Sequence, residues 1–121
     1  MVECGEPTCY TAPMPKYLYQ ATYTSDGLKG LSKDGATKRM AAAEALVASL
    51  GGKMECFYFS FGSDDVVAIA DLPDNAAAAA LSITVSAAGA VHGRITPLMT
   101  AGEADQALGH HARYTPPGSA R

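Results

Sequence analysis

The sequence predicts an α+β domain of ferredoxin-like type. Its order is βαββαβ, a four-stranded antiparallel sheet with two helices on one face, plus a short C-terminal helix. Three observations lead there. Residues 53–72 (KMECFYFSFGSDDVVAIADL) read as a hairpin, two strand-forming runs around a Gly-Ser-Asp tip. Helical patterns precede and follow that hairpin, and each is flanked on its outer side by one further strand pattern. Right-handed crossovers then put both long helices on the same side and leave the other side bare.

The elements follow in order. Residues 16–24 alternate, with Tyr17, Tyr19, Ala21 and Tyr23 on one side and Leu18, Gln20 and Thr22 on the other, as in a half-buried strand. Ser25-Asp26-Gly27 stops it, and Ser25 or Asp26 is expected to cap the next helix. Leu28, Leu31, Gly35, Ala42, Leu46 and Leu50 recur at helical spacing and form an apolar stripe. Lys33-Asp34-Gly35 predicts a kink or break, because glycine costs a helix about 1 kcal/mol relative to alanine. Gly51-Gly52 ends the helix, one of the two being placed for a left-handed turn.

Beyond the hairpin, Pro73 cannot extend a central strand, and Asp74 or Asn75 is placed to cap a helix over residues 76–88. That helix is rich in alanine and must approach its partner closely to bury anything. Residues 91–97 form the fourth strand. Residues 100–108 form a short helix with Thr100 as cap and Glu103 at the capping-box spacing. The domain therefore spans residues 14–108. Residues 1–13 are expected to be a disordered tail or an over-extended start, and residues 109–121, with Pro116, Pro117 and Gly118, an extended tail.

Composition narrows the function classes. A 121-residue chain builds one core, and 48% hydrophobic with 17% charged residues is a globular balance. A net charge of −3 without any Lys/Arg run argues against a nucleic-acid partner. The longest apolar stretch, residues 76–91, is mostly alanine and broken by Ser82, Thr84, Ser86 and Gly89, which is too weak for a membrane span. Three cysteines and a start without a basic, then apolar, signal favour a cytoplasmic location with free thiols; Cys56, in a strand, is expected to be buried and inert.

The segments MPKYLYQATYTSDGLKGL, ALVASLGGKMECFYFSFG, DDVVAIADLPDNAAAAAL and TPLMT together resemble the GYD domain family, over roughly residues 14–107. The resemblance implies a ferredoxin-like fold in a dimeric α/β-barrel assembly and implies no known reaction. The family's Gly-x-Tyr-Asp motif maps onto Gly62, Ser63, Asp64 and Asp65; Gly62 and Asp65 match, and Asp64 stands where the family has tyrosine. Glycine and aspartate are also ordinary hairpin-tip residues, so both have a purely structural reading.

Sorting by alternation gives the helix side Tyr17, Tyr19, Ala21, Phe57, Phe59, Phe61, Val67, Ile69, Val91, Gly93 and Ile95. The open side receives Leu18, Gln20, Thr22, Met54, Cys56, Tyr58, Ser60, Val66, Ala68, Ala70, His92, Arg94 and Thr96. A slip of one residue inverts a strand's contribution. An open face of this mixed character is suited to pairing with a second copy, and a cavity left between two sheets would be lined by Gln20, Thr22, Tyr58, Ser60, His92 and Arg94. The expected partners are therefore the chain itself and a small-molecule ligand.

Two functions compete. One is a homo-oligomeric module that holds a small ligand. The other is a cofactor-independent oxygenase or isomerase with His92 as acid/base, Arg94 as anion holder and Tyr58 as orienting donor. The plainer reading gives His92 and Arg94 interface or solvent contacts and makes Tyr58 a packing residue. No cofactor and no metal are expected. His110-His111 lacks the i, i+4 spacing of helical zinc pairs, Cys4 and Cys9 lack a second pair, and the adjacent Asp64 and Asp65 point to opposite faces.

Overall fold

The computed structural model describes residues 14–118. Strand β1 (Lys16–Tyr23) leads into helices α1 (Ser25–Asp34) and α2 (Ala36–Ser49), then the hairpin strands β2 (Lys53–Phe59) and β3 (Val66–Asp71). Helix α3 (Asn75–Ala88), strand β4 (Val91–Leu98) and helix α4 (Ala101–Leu108) complete the order. All pairings are antiparallel and the sheet order is β2-β3-β1-β4, the ferredoxin-like arrangement with β1 and β3 central.

The breaks have local causes. The first helical pattern divides at Gly35, whose φ of 92° ends α1 and starts α2. The cap of α1 is Thr24 rather than Ser25 or Asp26: its extended backbone puts Oγ1 where it accepts from the Gly27 N–H at 3.0 Å. Gly51 adopts φ 84° after α2. Asp74 caps α3 by accepting from the Ala77 N–H at 2.9 Å, and Thr100 with Glu103 forms the full capping box of α4. Residues 109–116 carry no helix or strand, while the expectations for residues 1–13, Cys4 and Cys9 included, lie outside the described residues.

On the helix side of the sheet, Tyr17 stands beside Ala70, Tyr19 beside Ala68 and Ala21 beside Val66. Strand β3 is thus inverted from the sequence expectation: Val66, Ala68 and Ala70 are buried under the helices, and Val67 and Ile69 face the open side. The reason is that Val66–Ala70 is apolar on both of its sides, so the pairing with β1, which sets Ala70 beside Tyr17 and Ala68 beside Tyr19, decides which side faces the helices. A register shift between Met54 and Cys56 likewise turns Met54 inward, against the expectation, onto the same side as Phe57. Phe61 lies beyond the strand with a positive φ of 52° and is exposed.

The core forms two clusters. One gathers Tyr17, Val47, Ala70, Leu72, Ala78 and Leu81; the other gathers Ala21, Val66 and Val91; Tyr19 and Val85 touch both. Ala78, facing the sheet from α3, supplies the close approach expected of an alanine-rich helix. Tyr17 is fully satisfied, its hydroxyl donating to Asn75 Oδ1 at 2.6 Å. Helix α2 completely buries only Val47.

Candidate functional site

The register lays out the open face as rows across the sheet. One row reads Cys56, Ile69, Leu18, Thr96; the next reads Tyr58, Val67, Gln20, Arg94; Thr22 and His92 pair beyond them. Leu18, Val67, Ile69 and Cys56 are half-buried and form an apolar band, so Cys56 is a half-exposed free thiol rather than a buried one. Charged groups bracket that band. At one end Lys16 Nζ donates to Glu55 at 2.7 Å and to Asp71 at 2.9 Å, and these hydrogen bonds push the Lys16 ammonium above its ordinary range. At the other end Arg94 reaches Asp64, Nη2 to Oδ2 at 3.1 Å, and Thr22 Oγ1 donates to the same carboxylate at 3.4 Å.

The hairpin tip is fastened to β1 by the motif. The Asp65 N–H donates to the Ala21 carbonyl at 2.8 Å, and the Asp65 carboxylate accepts from the Tyr23 N–H at 2.9 Å. Gly62 N–H donates to the Asp64 carbonyl within the turn, and Ser60 Oγ donates to that same carbonyl at 2.6 Å. Phe61, held at positive φ, stacks on Phe59 with centroids 5.8 Å apart. Gly62 and Asp65 therefore close and dock the hairpin.

These contacts sort the candidate residues. Thr22, Ser60 and Arg94 meet around Asp64, and Gln20 sits beside Arg94 in the register. His92 is exposed opposite Thr22. Tyr58 is on the far edge of the sheet: β2 and β4 are separated by two strands, and three strand spacings amount to about 14 Å. One chain alone does not bring Tyr58 to His92 and Arg94. Among the described residues no group of three or more His, Cys, Asp or Glu side chains is placed to hold a metal ion, and no helix is long and apolar enough to cross a membrane.

A half-open pocket lies on the other side, between the sheet and helices α1, α2 and α3. Its volume is about 380 Å³, and none of Gln20, Thr22, Tyr58, Ser60, His92 or Arg94 lines it. Its wall is apolar apart from Tyr17, Tyr19, Tyr23, Thr84 and the groups at Asp26, Asp34 and Arg39. The Tyr19 hydroxyl is buried without a hydrogen-bond partner among the described residues. It lies directly over Gly93, where a Cβ would come within 2.1 Å of the oxygen. Burial raises the Tyr19 pKa, so near neutral pH the group is a neutral O–H donor. Tyr23 is also raised by burial, against the pull of the Arg39 guanidinium beside it; Arg39 in turn stands 3.8 Å from Asp34.

The sequence reading missed Tyr19, Tyr23 and Arg39 as site residues. A signal was present in Gly93, since a glycine inside a strand marks a place where another group comes close.

The sequence model of the GYD domain matches residues 17–108. The chain belongs to the GYD domain family. No curated protein and no solved structure matches it. In this GYD domain Gly62 and Asp65 shape and anchor the hairpin, while Asp64 between them carries the contact to Arg94.

Proposed function

We propose that this GYD-domain protein is a small homo-oligomeric binding module, most simply a homodimer whose two open sheet faces meet and hold a small ligand between them. The observation that carries the reading is the apolar band of Leu18, Val67, Ile69 and Cys56, bracketed by charges that are already paired within the chain. Two such faces set together bury apolar surface at the centre without stranding a charge at either end. A free thiol at Cys56 accords with a reducing, cytoplasmic setting. Light scattering on the eluting protein at micromolar concentration is expected to give twice the chain mass of 12.5 kDa. A monomer mass across that range would refute the proposal.

A cofactor-independent enzyme of the oxygenase or isomerase kind is the second reading, favoured by one observation. Tyr58 and Arg94 lie in the same row at opposite edges of the face. A two-fold axis parallel to the strands lays the β2 edge of one copy over the β4 edge of the other, which brings Tyr58 towards Arg94 and His92. Arg94→Ala separates folding from ligand handling. The guanidinium is 61% exposed, so loss of its pair with Asp64 is expected to change stability by no more than about 1 kcal/mol. Binding of an anionic or carbonyl ligand between the sheets should weaken by about tenfold or more. Urea unfolding and calorimetric titration read the two effects separately; unchanged ligand affinity removes Arg94 from the site.

A further inference from the structure

We infer that the half-open pocket beneath the helices is a second ligand site, and that it takes an uncharged, apolar small molecule of one or two rings. This site is independent of the sheet-face interface, because the residues of the two lie on opposite sides of the sheet.

Size comes first. Packed interiors hold few voids larger than a water molecule, whereas about 380 Å³ falls in the range of small-molecule pockets. Small residues stand on both sides of the space, Gly30, Ala42 and Ala43 on the helices and Ala21 and Ala68 on the sheet. The walls between them have no atoms of the chain to touch across the gap, and a ligand there supplies those dispersion contacts.

The occupant is apolar because the polar groups of the sheet wall are closed to it. The Tyr17 hydroxyl donates to Asn75 Oδ1 at 2.6 Å. The Tyr19 hydroxyl oxygen is buried over Gly93, out of reach of anything in the pocket. Both tyrosines therefore offer the space their rings alone. With Phe57, Leu81, Val85 and Ile95 also on the lining, contact in the interior is with carbon. A hydrogen-bonding group carried there loses its water and finds no partner, which weakens binding.

Charge is confined to the mouth and selects against ions. Asp26 and Asp34 are exposed there, and Arg39, 3.8 Å from Asp34, is the one cation of the lining. Two carboxylates against one guanidinium leave no uncompensated positive charge to hold a carboxylate or phosphate. Lys29, Lys33 and Lys38, on the same two helices, are exposed and off the lining, where solvent and salt screen them. A cation fares no better, since its charge must give up water to follow an apolar body inward.

Three probes built on one ring system test this: indane, indane-2-carboxylate and 2-aminoindane. Each is titrated into the full chain and followed by backbone amide chemical shifts. The expected result is perturbation centred on residues 43, 68 and 85, with indane bound about tenfold more tightly than either charged analogue. Asp34→Asn, which takes the paired charge from Arg39 at the mouth, should tighten the carboxylate by about threefold and leave indane unchanged. Ala43→Phe and Ala42→Phe each carry a ring into the space from α2, and each should abolish indane binding while circular dichroism shows the natural fold. If both filled variants fail to fold, the ranking of the three probes in the natural chain decides alone. A charged analogue bound as tightly as indane, a carboxylate indifferent to Asp34→Asn, a filled variant that folds and still binds, perturbation centred on the open face at residues 18 and 69, or no response to indane would each overturn the inference.

Discussion

Gly27→Ala is expected to destabilise the domain by about 3 kcal/mol or more, a large share of what a domain of this size has. Gly27 is buried in the first turn of α1, and an added Cβ would stand 2.0 Å from the carbonyl oxygen of Ala90. That oxygen is part of the backbone and cannot swing aside like the end of a flexible side chain. It also accepts from the Thr24 N–H at 2.8 Å and from the Thr24 hydroxyl at 3.1 Å, so displacing it loosens the joint where β1, α1 and β4 meet. The midpoint of thermal unfolding should fall by roughly 10–20 °C. Gly30, three residues along the same helix, is the control. A Cβ there meets nothing within 4 Å, so Gly30→Ala should be neutral or stabilise by up to about 1 kcal/mol through helix propensity. If thermal and urea unfolding show the two variants losing similar stability, the collision with Ala90 is not what makes Gly27 necessary.

Gly27 also illustrates what was legible beforehand. Strand alternation, helical spacing and cap residues are local, and they placed the strands and helices at or near their observed bounds: the break at Gly35, the capping box at Thr100 and Glu103, and a left-handed glycine within the Gly51-Gly52 pair were all readable. The facing of β3 was not. Val66, Val67, Ala68, Ile69 and Ala70 are apolar on both sides of the strand, so alternation carries no preference. The choice was made by the pairing with β1, which puts Ala70 beside Tyr17 and Ala68 beside Tyr19. Thr24 took the cap from Ser25 and Asp26 for a related reason, since its hydroxyl also reaches the Gly89 and Ala90 carbonyls of the next crossover.

The site divided along the same line between local and long-range. Residues two apart on one strand, such as His92 and Arg94, were correctly given one face, because that follows from the pleat. The engagement of Arg94 by Asp64 depends on how the hairpin tip docks on β1 and is not readable from spacing. The cavity is further removed still. Its lining is drawn from all four strands and three helices at once, a meeting that spacing within any one element does not encode.

Ile69→Glu is expected to convert the proposed dimer into folded monomers. Ile69 is half-buried on the open face between Leu18 and Cys56, at the middle of the apolar band. In an isolated chain the new carboxylate sits on an open surface and keeps its water, so folding should change by about 1 kcal/mol or less. In the dimer each copy would bury one carboxylate without a partner. At several kcal/mol for each uncompensated charge, the dissociation constant should rise by at least about a thousandfold. Sedimentation velocity over a concentration series reads the association, and circular dichroism on the same samples reads the fold. The variant's own pH dependence adds a further check. A carboxylate buried in the dimer has its pKa raised relative to the monomer, so the dimer binds the proton more tightly and association strengthens as pH falls through that raised value. Ala68→Glu, on the adjacent residue but under the helices, should unfold the chain instead. A dimer that tolerates glutamate at position 69 at neutral pH would place the interface elsewhere, and a chain that unfolds with it would mean that Ile69 faces the core.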